Sequence, residues 1–339
     1  MPQSLASAYI APISTVQRAP RRAQNLDLPP NRLIFWLIPD TAPRMLHPKR
    51  GVGQLSGFLS RMGGVDHPLP QLFGSPSMEY RKLKRQPVTL VLAEFRFSDI
   101  LSIESYVPQF QELIRKTYPI VRTSEEHEVS VKGGEASLRS GGNGWVFSSR
   151  DNQEQVRLEK NRLIYITTSY DRFPKFSKNC EYVLNALAQT VSPDLLERIG
   201  LRYNDTIIPP ESNPIEKMLI ADLLPGQNVT ELGTQIGFSR TETQLFSKTG
   251  RLIIKSLIGV HGLPSHPELL PLFEGSGRPD IPEKTATAVL DIDHIWEAEE
   301  GYEDFSVQSC LSRLADLHQQ SREAFWRLTT DYAKEECWQ

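Results

Sequence analysis

From Val88 onward the chain alternates runs of β-formers with a few stripes of helical periodicity, and no stripe falls regularly between successive strands. That order constrains the fold more than any other feature. Parallel neighbours need a long crossover, usually a helix, so strands joined by short polar turns must pair antiparallel. Val88–Phe97 is rich in branched and aromatic residues and predicts the first strand. A helix follows, with Ser105 as its cap, Pro108 in its first turn and Val107, Phe110, Leu113, Ile114 and Tyr118 as its stripe; Pro119 ends it. Residues 122–144 are polar, and Gly141-Gly142-Asn143-Gly144 reads as a turn. Trp145–Phe147, Gln155–Leu158 and Leu163–Thr168 predict a short antiparallel run. Phe176, Cys180, Val183, Leu184, Leu187 and Val191 then recur at helical spacing. Leu196–Ile207 returns to a strand, with Ile199, Leu201 and Tyr203 on one face and Arg198, Arg202 and Asn204 on the other.

Residues 87–208 thus read as a β-α-β-β-β-α-β unit. A proline-rich crossing at Pro209, Pro210 and Pro214 opens a second lobe, 209–339. Strands are expected at Gly233–Phe246, Arg251–Val260 and Thr285–Trp296, with the Pro- and Gly-rich interval 262–284 as loop. A long helix closes the chain, its stripe running from Val307 through Cys310, Leu314, Leu317, His318 and Phe325 to Tyr332. The expected class is α+β: antiparallel sheets packed by amphipathic helices, in two lobes that are candidates for related halves.

Residues 1–86 differ. They hold 11 of the 25 prolines and a net charge of +8, from 12 basic and 4 acidic residues. This composition predicts a basic extension largely without fixed structure, or, upstream of Met78, an over-extended reading frame. Leu33–Ile38 is its one strand or anchor candidate, too short to span a bilayer. The remaining 253 residues carry −11 and should repel phosphate. Nucleic-acid binding is therefore expected to be weak, sequence-independent and confined to 1–86. Three widely spaced cysteines, Cys180, Cys310 and Cys337, suit a reducing compartment, and the absence of an apolar span or leader layout points to the cytoplasm, with no membrane partner.

The sequence lacks a P-loop, a dinucleotide-binding glycine motif, a nucleophile elbow and a His-Glu-x-x-His motif. Two constellations remain. Glu94 and Arg96 on the first strand, and Arg198, Arg202, Asn204 and Asp205 on the later one, share a face if those strands are neighbours. Glu94, Arg96, Arg198, Arg202 and Asn204 are the candidate partner- or anion-binding surface, or else a set of cross-strand ion pairs. Asp291 and Asp293 lie on one face of a strand, with His294 on the other. They are the weaker candidate for a divalent metal, and otherwise form a solvent-facing strand end whose carboxylates meet arginines across the sheet. His318, Cys180 and Cys310 sit in apolar stripes and read as packing residues. A non-enzymatic interaction or regulatory module, with a protein partner and no cofactor, accounts for these features best. A metal-dependent hydrolase or nuclease using Asp291 and Asp293 is one alternative. A small-molecule pocket between the sheet and the last helix is the other.

Three stretches carry a family likeness: Val91–Phe97 with Phe110 and Tyr118-Pro119; Arg162–Tyr165 through Tyr170, Phe173 and Phe176 to Glu197–Asn204; and Leu290–Asp293 with Leu317-His318 and Phe325. Over about residues 87–335 the chain resembles a sporadically distributed family of bacterial and archaeal proteins of unknown function. The resemblance implies a prokaryotic, cytosolic α+β protein and an association with mobile or defence-type gene neighbourhoods. It brings no catalytic residues. Members begin near their first strand, whereas some 80 residues precede it in this chain.

Overall fold

The computed structural model describes residues 80–132, 135–210, 214–226, 237–260, 262–273, 280–281 and 285–339. Residues 1–79, with the strand candidate Leu33–Ile38 and the alternative start Met78, lie outside the described residues. The elements run β1 (Val88–Phe97), α1 (Ile103–Ile114), β2 (Ile120–Lys132), β3 (Glu135–Ser148), β4 (Glu154–Glu159), β5 (Arg162–Thr167), α2 (Phe173–Thr190), β6 (Leu195–Ile207), β7 (Phe238–Ser247), β8 (Gly250–Gly259), β9 (Thr287–Glu297), β10 (Glu303–Asp304) and α3 (Val307–Leu328). The class is α+β, as the strand order required.

All pairings are antiparallel, and the strands lie in the order β2-β3-β4-β5-β1-β6-β9-β8-β7, with β10 on the end of β6. The strands of both halves share this one sheet. Its seam is β6 against β9, in register from Arg198↔Glu297 to Ile207↔Ala288.

Two details depart from the sequence reading. Gly141–Gly144 is not a turn: it lies within β3, and β2 and β3 form a hairpin from Ile120↔Ser148 to Lys132↔Glu135. A two-stranded ribbon satisfies its backbone groups through its own ladder, so polar residues 122–132 and 135–144 form it without apolar alternation. Helix α1 starts at Ile103, so Ser105 lies inside it, donating its hydroxyl to the Ser102 carbonyl at 2.8 Å. Pro108 then sits mid-helix on the exposed side, where its ring has no N–H to offer the Glu104 carbonyl one turn earlier.

The three helices cover one face of the sheet. Val91, Ala93, Phe95 and Phe97 of β1 and Ile199 and Leu201 of β6 bury against Phe110, Phe176, Leu184, Leu187, Leu314 and Leu317. Farther along, Ile207 of β6, Leu252 and Ile254 of β8, and Leu290 and Ile292 of β9 continue the apolar layer toward Met218 and Trp338. The opposite face carries charges, with an apolar patch where Leu269 and Leu272 of the 3₁₀ segment Pro267–Phe273 cover Leu90, Ile164 and Ile166. Helix α3 is closed at both ends. The Ser306 hydroxyl accepts from the Ser309 N–H, and the buried Lys334 ammonium donates to the carbonyls of Trp326 and Thr329 at 2.8 and 3.0 Å.

The β7–β8 turn depends on Gly250. Its φ is +135°, and a Cβ there would lie 2.1 Å from the Ile295 carbonyl oxygen. Gly250→Ala should therefore destabilise the protein by more than ~2 kcal/mol, measured by urea unfolding, because both the backbone angle and the β9 backbone resist it.

Candidate functional site

The five residues of the expected binding surface do share a face, because β1 and β6 are neighbours, Glu94 lying opposite Gly200. Each is held by other groups of the protein. Glu94 accepts from Arg198 through Nε at 3.1 Å and through Nη2, and Arg162 of β5 stands 3.6 Å away. Burial alone would raise the Glu94 pKa, but the charges of Arg198 and Arg162 outweigh it and hold the carboxyl at about 2. Arg96 lies 3.4 Å from Glu197. Asn204 donates to Thr89 Oγ1 at 2.8 Å and accepts from the His266 N–H at 3.2 Å.

Arg202 is the most deeply placed charge of the five, 2% exposed. Its Nε and Nη2 donate to the two carboxylate oxygens of Asp291 at 2.6 and 2.5 Å, across the β6–β9 seam, and Nη2 reaches Glu268 at 3.0 Å. Lys255 of β8 also donates to Glu268, at 3.2 Å, and His266 Nδ1 lies 3.3 Å from the same oxygen. Burial raises the Glu268 pKa, but the bond from His266 and the charges of Arg202 and Lys255 bring it well below the usual carboxylate range.

Asp291 and Asp293 point to this face and His294 to the other, as the strand period requires. Ligand atoms of His266, Glu268 and Asp291 lie within 4.8 Å of one another. Yet both Asp291 oxygens are engaged by Arg202, and Lys255 holds Glu268. A divalent cation would have to displace two cations from a buried site, so the geometry favours an ion-pair network over a metal centre. Asp291 does meet an arginine across the sheet, but in the interior and not at a solvent-facing strand end.

An opening that can accept a ligand lies on the helix face, between the sheet and α3. It has a volume of about 340 Å³. Asp205 and Tyr203 of β6 line its sheet side, Tyr170 comes from the loop before α2 and Phe173 from its first residue, and His318, Arg322, Phe325 and Trp326 come from α3. Tyr80–Gln86 runs past as a strap, with Lys82 bonded to the Asp171 side chain and Gln86 Nε2 donating to the Asp171 carbonyl at 3.1 Å. His318 Nδ1 lies 2.8 Å from the Tyr203 hydroxyl, and its imidazole stacks on Phe173 at 3.9 Å. Burial, helped by the charge of Arg322, lowers the His318 pKa to about 3, so the ring is neutral.

Asp205 departs from its expected place. It does not crowd with Arg198, Arg202 and Asn204 but takes the alternate register, on the face of Tyr203 and Ile207. It is 3% exposed, and among the described residues its carboxyl has no hydrogen-bond or ion-pair partner. Burial, with the Asp291 charge through the sheet adding to it, pushes its pKa up to about 8. A buried polar group without a partner normally costs stability, and the space open to this one is the cavity that it lines. The signal was legible: a carboxylate in the apolar register of a strand is an anomaly. Arg322 and Tyr170 carried no such sign.

Cys180 and Cys310 are buried, and desolvation raises both thiols, that of Cys310 to about 12. Among the described residues no helix is long and apolar enough to cross a membrane. The chain matches no protein-family model and no curated protein.

Two outcomes follow from these buried charges. Arg202→Met should cost roughly 3–5 kcal/mol in urea unfolding, since it strands Asp291, while adding Asp291→Leu should recover part of that loss. For Asp205 the folded carboxyl keeps its proton to about pH 8, whereas the unfolded one ionises at its ordinary value of 3.8. Between those values the unfolded chain binds fewer protons, so stability falls as pH rises. The groups around it are Tyr203, Tyr170 and Asp291. Asp205→Asn should match the wild type in melting temperature near the low end of that window and exceed it progressively toward the high end; a difference independent of pH would contradict this assignment.

Proposed function

We propose that this chain is a cytoplasmic, non-enzymatic regulatory protein that binds a small molecule in the cavity between its sheet and α3. The observation that carries the reading is Asp205, a buried carboxyl without a partner among the described residues, on a concave, aromatic-walled surface. A cavity of about 340 Å³ falls in the lower part of the range of ligand pockets, ~300–1,000 Å³. Support for a binding role over catalysis comes from how the other acids and bases are used. Glu94, Glu268 and Asp291 are tied into ion pairs, and His318 is neutral and engaged by Tyr203.

The strap Tyr80–Gln86 gives the site a route to a protein partner. It forms part of the cavity wall and also faces outward, with Arg81, Lys82, Lys84 and Arg85 exposed. A ligand touching the wall changes the surface that a partner meets. The resemblance to the sporadically distributed prokaryotic family, with its mobile or defence-type setting, belongs to the same proposal.

The test is retention. The full chain is incubated with a small-molecule extract of prokaryotic cytosol, desalted, denatured and examined by mass spectrometry. Ser321, buried at the cavity wall, is replaced by Phe to plug it. A compound retained by the wild type and lost from a folded Ser321→Phe variant supports the reading. Equal retention by both, or none by either, overturns it.

A further inference from the structure

We infer that the cavity takes a planar nitrogen heterocycle bearing an anionic substituent, an inference that rests on the proposed reading of the cavity as a ligand site. Three sets of groups specify these parts. The first is Asp205 on the sheet side. A ligand ammonium would require its carboxyl to ionise, which burial opposes; the protonated form offers one donor and one acceptor. That pair matches the edge of a heterocycle in which a ring nitrogen adjoins an N–H or a carbonyl.

The second set is aromatic. Phe173, Phe325 and Trp326 line the cavity from two elements, with Tyr170 and Tyr203 beside Asp205. Flat, apolar walls around a hydrogen-bonding floor suit a ring that stacks while its edge is read.

The third is Arg322. Its guanidinium lies 4.0 Å over the ring of Tyr80, and its Nε is buried without an acceptor. Among the described residues no carboxylate pairs with it, Asp205 included, although both line the same cavity. An uncompensated guanidinium beside an aromatic wall is a receptor for a carboxylate or phosphate carried by the ring. Arg172, at the start of α2, lines the same cavity and adds to the positive field. A ligand spanning Asp205 and Arg322 gives each the partner it lacks.

Isothermal titration of the full chain tests this with three groups of probes. Adenosine, guanosine, cytidine and uridine 5′-monophosphates represent phosphate-bearing heterocycles, and orotate represents a carboxylate-bearing one. Adenosine, guanosine, cytidine and uridine, with uracil for orotate, are the neutral matches, and ribose 5-phosphate and inorganic phosphate are ring-free anions. At least one anionic heterocycle should bind roughly tenfold or more tightly than both its neutral match and the ring-free anions. Which arm responds identifies the phosphate or the carboxylate as the natural substituent. Arg322→Gln should abolish the preference for the anion without weakening the neutral match. Asp205→Asn keeps a donor and an acceptor and should retain binding that Asp205→Leu loses. Equal affinity for charged and neutral rings, tight binding of ring-free anions, or no binding by any probe at millimolar concentration would overturn the inference. Should the probes fail while a compound is still retained from extract and lost from Ser321→Phe, the ligand class falls and the cavity reading stands.

Discussion

The paired contact of Arg202 with Asp291 joins strands from the two halves of the chain, and the rest of the architecture is organised around it. Each partner is out of water, so neither tolerates the loss of the other; an ion pair of this kind contributes little net stability but penalises alternative pairings heavily. A one-residue slip of β9 against β6 would send Asp291 to the apolar layer and bring Ile292 among the charges. The pair thus fixes the register of the seam, and with it the positions of His294, Tyr203 and Asp205 on the far side.

Strand β6 shows how one sequence serves two different surfaces. Arg198, Arg202 and Asn204 build the ionic face, while Ile199, Leu201 and Tyr203 build the layer under the helices. Alternation made both sets legible, as it did the whole of β1 and the opposition of Asp291 and His294. The β2–β3 hairpin was not legible, because its pairing depends on the backbone and its polar residues lack a period. Sequence offered cross-strand ion pairs as one reading of this face, and Glu94 with Arg198 and Arg202 with Asp291 form them; it did not reveal the cover that Glu268 adds. Whether a charged face is open or occupied depends on which distant segment lies over it, here His266 and Glu268.

The cavity was legible in location and not in content. A long amphipathic helix on a sheet predicts a place where the two diverge, and α3 leaves such a space beside Asp205. The groups that give it chemistry come from separate stretches of the chain, so no local motif announces them. Their arrangement is also costly: Asp205 and Arg322 forgo partners that ordinary packing would supply, a sacrifice of stability of the sort found where function is stored.

The central position of β1 has a consequence for synthesis. This apolar strand precedes the other described strands off the ribosome, yet its neighbours are β5 and β6, whose last residues are Thr167 and Ile207. Both of its edges stay open until β5 has been made, and one stays open until β6 is complete. A nascent chain in that interval presents a strand of Val, Leu and Phe capable of pairing with another chain. Folding yield should therefore depend on chaperone occupancy and translation speed over this stretch more than on the stability of the finished molecule.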